Sequence, residues 1–218
     1  GNDLLRELPA QVREELQTVY YATVVKNARI LEVVKEINRA SRAAGIPMIP
    51  VKGAFLAEHA YRDIGVRPMV DADILVHRED VLAFVKMLAT FGFFPVQNVE
   101  KALAKPFSYA LTCSMSQAKA QSFHIDVHWR FFSSRWLVAL RRRRDVLADV
   151  WKRVEERVFD GGDPLTCLSA ADTCVYTAQH AYCHGFDRLL LCADLFVLQR
   201  LYAKTLPPGS WEQEAAKY

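Results

Sequence analysis

The chain has 218 residues, 51% of them hydrophobic and 24% charged, with a formal net charge of +3. That length buries a full core and leaves room for a helical appendage, and the composition is that of an ordinary globular protein. So small a net charge does not by itself argue for a nucleic-acid or membrane surface, and the greasiest run, Leu189–Leu198, is short and broken by Asp194, so no bilayer span is expected. No signal peptide opens the chain, and Gly1 in place of Met reads as a trimmed start. Five scattered cysteines (Cys113, Cys167, Cys174, Cys183, Cys192), none in a C-x-x-C pair, argue against a disulfide framework or zinc ribbon and make a reducing, cytoplasmic setting the expectation.

From Pro9 to about Ala44 apolar residues recur at helical spacing, and Gly45 with Pro47 ends the run. Ile46–Val51 reads as a short buried strand whose pairing Pro47 and Pro50 restrict. Gly53 then opens a helix over Ala54–Tyr61, Arg62–Met69 is a loop, and Asp71–Val76 is a second strand. Arg78-Glu79-Asp80 starts a helix that stops near Gly92; Phe93–Val96 is a short strand and Val99–Lys105 carries no clear signal. Ser108–Ser114 and Ser122–Trp129 read as strands joined by a polar linker. Ser169 with Asp172 forms a capping box before a helix over Ala170–His184, Gly185 stops it, and Arg188–Tyr202 is a further helix. Thr205–Tyr218 reads as a connection whose continuation is missing. The expectation is an α+β protein, a small mixed β-sheet core (46–132) between an N-terminal helical segment (1–45) and a C-terminal helical region (133–218).

The chemistry concentrates in two alternating runs. Asp71 and Asp73 sit two apart in a strand, so both carboxylates project from one face, whereas on a helix they would diverge. In Phe123–Trp129, His124, Asp126 and His128 face one way and Ile125 and Val127 the other. Three acids on neighbouring strands suit a hard divalent cation such as Mg2+. The bland reading makes them a strand-end acid, a surface acid and half of an ion pair.

The order of motifs resembles the nucleotidyltransferase superfamily, the fold of DNA polymerase beta, and most closely the family of uncharacterised nucleotidyltransferases. The residues that carry the likeness are Val51-Lys52-Gly53-Ala54, Arg67-Pro68-Met69-Val70-Asp71-Ala72-Asp73-Ile74-Leu75-Val76 and Ile125-Asp126-Val127-His128-Trp129, with His180, His184 and Asp194 downstream. Two positions depart from the wider pattern: Lys52-Gly53 replaces a Gly-Ser or Gly-Gly turn, and Ala72 replaces a bulky aliphatic residue. The resemblance implies transfer of a nucleoside monophosphate from an NTP to an acceptor hydroxyl, with Asp71, Asp73 and Asp126 holding two Mg2+ (or Mn2+) ions and pyrophosphate as leaving group. Gly53 would let the backbone approach the phosphates. Lys52 suits a phosphate, an acid of the site or plain solvent, and Arg67 reaches a phosphate or braces the carboxylates, bracing being preferred because three clustered acids need a cation.

His128, on the face of Asp126, and His180, His184 and Asp194 are candidates for the acceptor pocket; histidines paired with Asp194 are the structural alternative. His180, Cys183 and His184 have no fourth ligand at zinc spacing. The basic run Arg141–Arg144, with Arg135, Lys152, Arg153 and Arg157, is either a solvated face or an RNA contact. The acceptor is accordingly taken as a small molecule or peptide, with RNA second. A non-catalytic, antitoxin-like binding module and a metal-dependent phosphohydrolase are the competing classes.

Overall fold

A computed structural model describes residues 7–106, 108–115, 123–132, 146–158 and 162–207, with 213 and 216. Its organising element is the strand Asp71–Val76, where the run Asp-Ala-Asp-Ile-Leu-Val is buried almost throughout, as expected of a central strand covered on both faces. We label it β2. Before it come α1 (Ala10–Ala43), β1 (Met48–Val51) and α2, a single turn Gly53–Phe55 continued by a wider π turn over Leu56–Ala60. After it come α3 (Val81–Thr90, entered through a 3₁₀ turn at Arg78–Asp80), β3 (Phe93–Pro95), α4 (Val99–Ala104), β4 (Ala110–Met115) and β5 (His124–His128). The C-terminal part adds α5 (Leu147–Trp151), β6 (Glu155–Arg157), β7 (Leu165–Cys167), α6 (Ala170–Cys183) and α7 (Leu189–Leu201).

Five strands form one sheet in the order β1-β2-β5-β4-β3, and β6 and β7 form a separate antiparallel pair. Only the β2–β5 pair is parallel, so the sheet is mixed. Pro50 is tolerated because β1 lies at the sheet edge. The fold is α+β, as the strand and helix patterns indicate. Its helix ends follow local chemistry. Gly45, at φ 69°, closes α1 with Ile46 N–H donating to Ser41 O at 2.9 Å. Asp172 N–H donates to Ser169 Oγ at 3.2 Å at the head of α6, and Gly185, at φ 64°, closes its far end. Val99–Lys105, unreadable by periodicity, is α4, started by Asn98, whose side chain accepts from Lys101 N–H at 2.7 Å.

Alternation divides the sheet into two unlike faces. Ala72, Ile74, Val76, Leu111, Cys113, Ile125, Val127 and Trp129 point one way and pack with Ile30, Val34 and Ile37 of α1 and Phe84 and Leu88 of α3. Trp129 is fully buried there, its indole N–H donating to Ser108 O at 3.0 Å. The opposite face is apolar at one end, where Ile49, Val51 and Leu75 meet Phe131, Val150, Leu168 and Tyr176. At its other end it carries Asp71, Asp73 and Asp126. Among the described residues, no helix is long and apolar enough to cross a membrane.

Candidate active site

The parallel pairing of β2 with β5 sets Asp73 directly beside Asp126, and Asp71 beside His124. Ligating atoms of Asp73, Asp126 and His128 all lie within 4.8 Å of one another. Asp71, at the head of β2, lines the same cavity outside that tight group. The cavity measures about 690 Å³ and opens between the polar end of the sheet and helices α6 and α7.

Asp73 is the most enclosed of the acids, with 4% of its surface exposed. Its Oδ1 accepts from Lys52 Nζ at 2.7 Å and meets His128 Nε2 at 2.8 Å. Burial alone would raise its pKa, but the Lys52 ammonium and the His128 contact overcome that and hold it well below the ordinary carboxylate value. Asp71 shifts the other way: burial, then the negative charge of Asp73, raise it, with Lys52 pulling against them. Asp126 Oδ1 accepts from Thr112 Oγ1 at 2.6 Å, Thr112 being its cross-strand neighbour on β4. His128 sits between the rings of Tyr109 and Tyr176, at centroid distances of 5.9 and 6.4 Å. The sequence reading set His128 in the acceptor pocket; its imidazole lines the cavity and also orients Asp73.

Lys52 occupies a backbone conformation rare for a side-chain-bearing residue, φ 50° and ψ −124°, which costs about 1–3 kcal/mol. That conformation turns the chain from the edge strand into α2 and brings the ammonium back over β2. Gly53 follows with no room for a side chain: a Cβ there would meet Arg67 Nη1 at 2.8 Å and Met69 Cγ at 3.1 Å. The glycine thus admits the Arg67 guanidinium at the cavity's edge.

Arg67 does not pair directly with the three acids. Its Nε and Nη2 form a fork onto Asp194 of α7, at 2.8 Å each, and Tyr61 O–H donates to the same carboxylate at 2.9 Å. Arg67 and Asp194 are 6% and 1% exposed. Asp194 therefore stands behind the cavity wall and holds an arginine that lines it. Asn27, fully buried on α1, donates through Nδ2 to Ile64 O at 2.6 Å and Arg67 O at 2.7 Å, and accepts from Met69 N–H at 3.2 Å. Helices from both ends of the chain thereby fix the loop that delivers β2.

Across the cavity, α6 presents Tyr176, Gln179, His180 and Cys183, with His184 at its C-cap. His180 and His184 contact edge to face at 4.6 Å. Burial, and then the Lys52 charge, lower the His180 pKa to about 3, so this imidazole is neutral at physiological pH. Neither histidine pairs with Asp194, whose partners among the described residues are Arg67 and Tyr61. In the basic segment, Arg153 pairs with Asp172 at 2.7 Å, Arg157 with Glu155 at 2.6 Å and Lys152 with Asp149 at 3.1 Å. Arg135 and Arg141–Arg144 lie outside the described residues.

Sequence reasoning missed Thr112, Asn27 and Tyr61. Thr112 follows from the cross-strand register, which alternation alone does not fix. Asn27 had a local signal, a polar residue interrupting the apolar stripe between Val24 and Ile30.

A mixed sheet carrying two carboxylates on paired central strands beside a strained turn defines a nucleotidyltransferase-like fold. Residues 2–218 match the family described as uncharacterised nucleotidyltransferase, and the chain belongs to it. Among curated proteins, none matches this sequence. Among solved structures, the chain is similar to the antibiotic-resistance factor ANT(2'')-Ia in solution, with a TM-score of 0.60 and 12% identity over 88% of this chain and 91% of that one. It is likewise similar to a crystal structure of ANT(2'')-Ia in complex with adenylyl-2''-tobramycin, with a TM-score of 0.56 and 12% identity over 86% and 95% of the two chains. At that identity the likeness speaks for the fold.

Proposed function

We propose that this protein transfers a nucleoside monophosphate from an NTP to the hydroxyl of a small-molecule or peptide acceptor, by in-line attack at the α-phosphorus. The observation that carries the reading is the registered pair Asp73–Asp126, with Asp71 two residues ahead, at one end of a large cavity in a chain of this family. A neighbour of the same fold was solved with an adenylylated acceptor, adenylyl-2''-tobramycin, which supports the reaction class.

The donor set fits a hard cation. Asp71, Asp73 and Asp126 offer carboxylate oxygens, while His128 engages Asp73 and orients it. These three acids would hold two Mg2+ or Mn2+ ions, and bound ions neutralise charge on the entering and leaving oxygens. Lys52 restrains Asp73 and remains close enough to share a phosphate. The Gly53 turn and Arg67 receive the triphosphate, Arg67 with its orientation fixed by Asp194. Asp126, held by Thr112, accepts the proton of the attacking hydroxyl. The new bond joins acceptor oxygen to the α-phosphorus, the bond to the bridging oxygen breaks, and pyrophosphate departs. The C-terminal region (133–218) supplies the opposite wall through α6 and α7.

Thermal-shift titration with ATP, GTP, CTP and UTP, with and without Mg2+, tests this. The expected result is Mg2+-dependent stabilisation by at least one nucleotide, lost in Asp71→Ala/Asp73→Ala. No shift with any nucleotide in folded protein would transfer the assignment to a non-catalytic binding module.

A further inference from the structure

Among the described residues, four lysine and arginine side chains line the cavity: Lys52, Arg67, Arg130 and Arg188. Lys52 and Arg67 come from the β1 side of the sheet, and both already have acidic partners, Asp73 and Asp194. Arg130 leaves the far end of β5, on the side of β4, and donates through Nη2 to Pro106 O at 3.1 Å. Its Nε is buried and has no hydrogen-bond partner among the described residues. Arg188, at the turn into α7, is exposed on the cavity rim, and no acid among the described residues pairs with it. Among the described lining residues the only carboxylates are Asp71, Asp73 and Asp126, all committed to the proposed metal site.

A polyamine acceptor needs acids beyond those that hold metal, and this wall offers arginine and histidine instead. Buried donors without acceptors are costly, and a guanidinium is suited to bidentate capture of a carboxylate or phosphate. The triphosphate, lying at the Gly53 turn and Arg67, leaves the β5 side for the second substrate. Resting on the transferase reading above, we propose that Arg130 and Arg188 form an anion site for the acceptor, so that the acceptor is a hydroxyl compound bearing a phosphate or carboxylate and not a polycation.

Calorimetry with three hexoses that differ in charge tests the proposal: glucose 6-phosphate, glucose and glucosamine, each titrated into protein alone and into protein loaded with Mg2+ and an α,β-methylene NTP. The expected result is a preference of at least about tenfold for the phosphorylated sugar, the scale of one charge-assisted hydrogen bond. Arg130→Gln and Arg188→Gln should abolish the preference while leaving affinity for the nucleotide analogue unchanged within about twofold, and Arg130→Lys should restore part of it. Equal binding of the three sugars, or preference for glucosamine, overturns the proposal. So does a matching loss of nucleotide affinity in the variants, which would assign both arginines to the triphosphate. Failure of the analogue itself to bind with Mg2+ sinks the transferase reading instead, and the charge preference of nucleotide-free protein then decides the anion site by itself.

Discussion

The two walls of the cavity are built on different principles. On the sheet side the central charged groups are locked to partners: Asp73 to Lys52 and His128, Asp126 to Thr112, Arg67 to Asp194. On the helical side His184 and Arg188 stand exposed at the rim. Buried ion pairs are costly to desolvate and costly to break, so they persist where geometry must not vary. Exposed side chains carry little of the fold's stability and are open to change. On the function proposed above, the rigid wall holds the reacting groups and the exposed rim is free to meet the acceptor.

The difference is broken most severely at the carboxylates. Asp73→Asn or Asp126→Asn should lower transfer by about 10³-fold, the scale seen when a pre-organised electrostatic group is removed. Single-turnover transfer of α-labelled NTP measures it; activity within tenfold of wild type would remove the residue from the reacting centre.

Next in size is the tie that joins the walls. Arg67→Ala or Asp194→Ala leaves an uncompensated buried charge and should cost about 3–5 kcal/mol in urea unfolding. Arg67→Met combined with Asp194→Leu should recover much of that stability, because no charge is left stranded, yet nucleotide affinity should stay low. If the double variant binds nucleotide normally, the pair serves the fold alone.

At the rim the order inverts. His184→Ala should change stability by no more than about 0.5 kcal/mol, since the residue is exposed. Its effect belongs in the KM for the acceptor, with the KM for NTP unchanged. A loss of stability comparable to that of Asp194→Ala would erase the distinction between the walls.

Legibility from sequence follows the same division by range. β2 runs over Asp71–Val76 as its alternation indicates, and the Ser169 cap and Gly185 stop bound α6, because each is set by contacts within a few residues. The shared face of Asp71 and Asp73 follows from strand parity, while the placement of Asp126 beside Asp73 needs the β2–β5 register. Asp194 could not be matched to Arg67, 127 residues away, by any local rule. The β6–β7 pair escaped notice because its strands are three residues each and β6 reads Glu-Glu-Arg, a charged surface segment. The role of Gly53 was only half visible: a turn was expected, but the close approach of Arg67 needs the packed structure.

The smallest effect separates the two acids of one motif. The Asp73 carboxyl is held below its unfolded value near 3.9, so its contribution is present above that pH and lost as pH falls through the folded value. Asp71 is raised, so its contribution is present below the unfolded value and lost as pH rises through the folded one, leaving its ionised form destabilising at neutral pH. Asp71→Asn should therefore raise the Tm at pH 7 in metal-free protein, and the gain should shrink toward pH 3, where wild-type Asp71 is itself neutral. Asp73→Asn should lower the Tm at pH 7, stranding Lys52, with the deficit narrowing in acid. Saturating Mg2+ should cancel the Asp71→Asn advantage, because an ionised Asp71 then has a counter-charge. Equal shifts of one sign for both variants would mean that Lys52 and His128 do not discriminate between the acids, and that the asymmetry drawn from their hydrogen bonds to Asp73 is wrong.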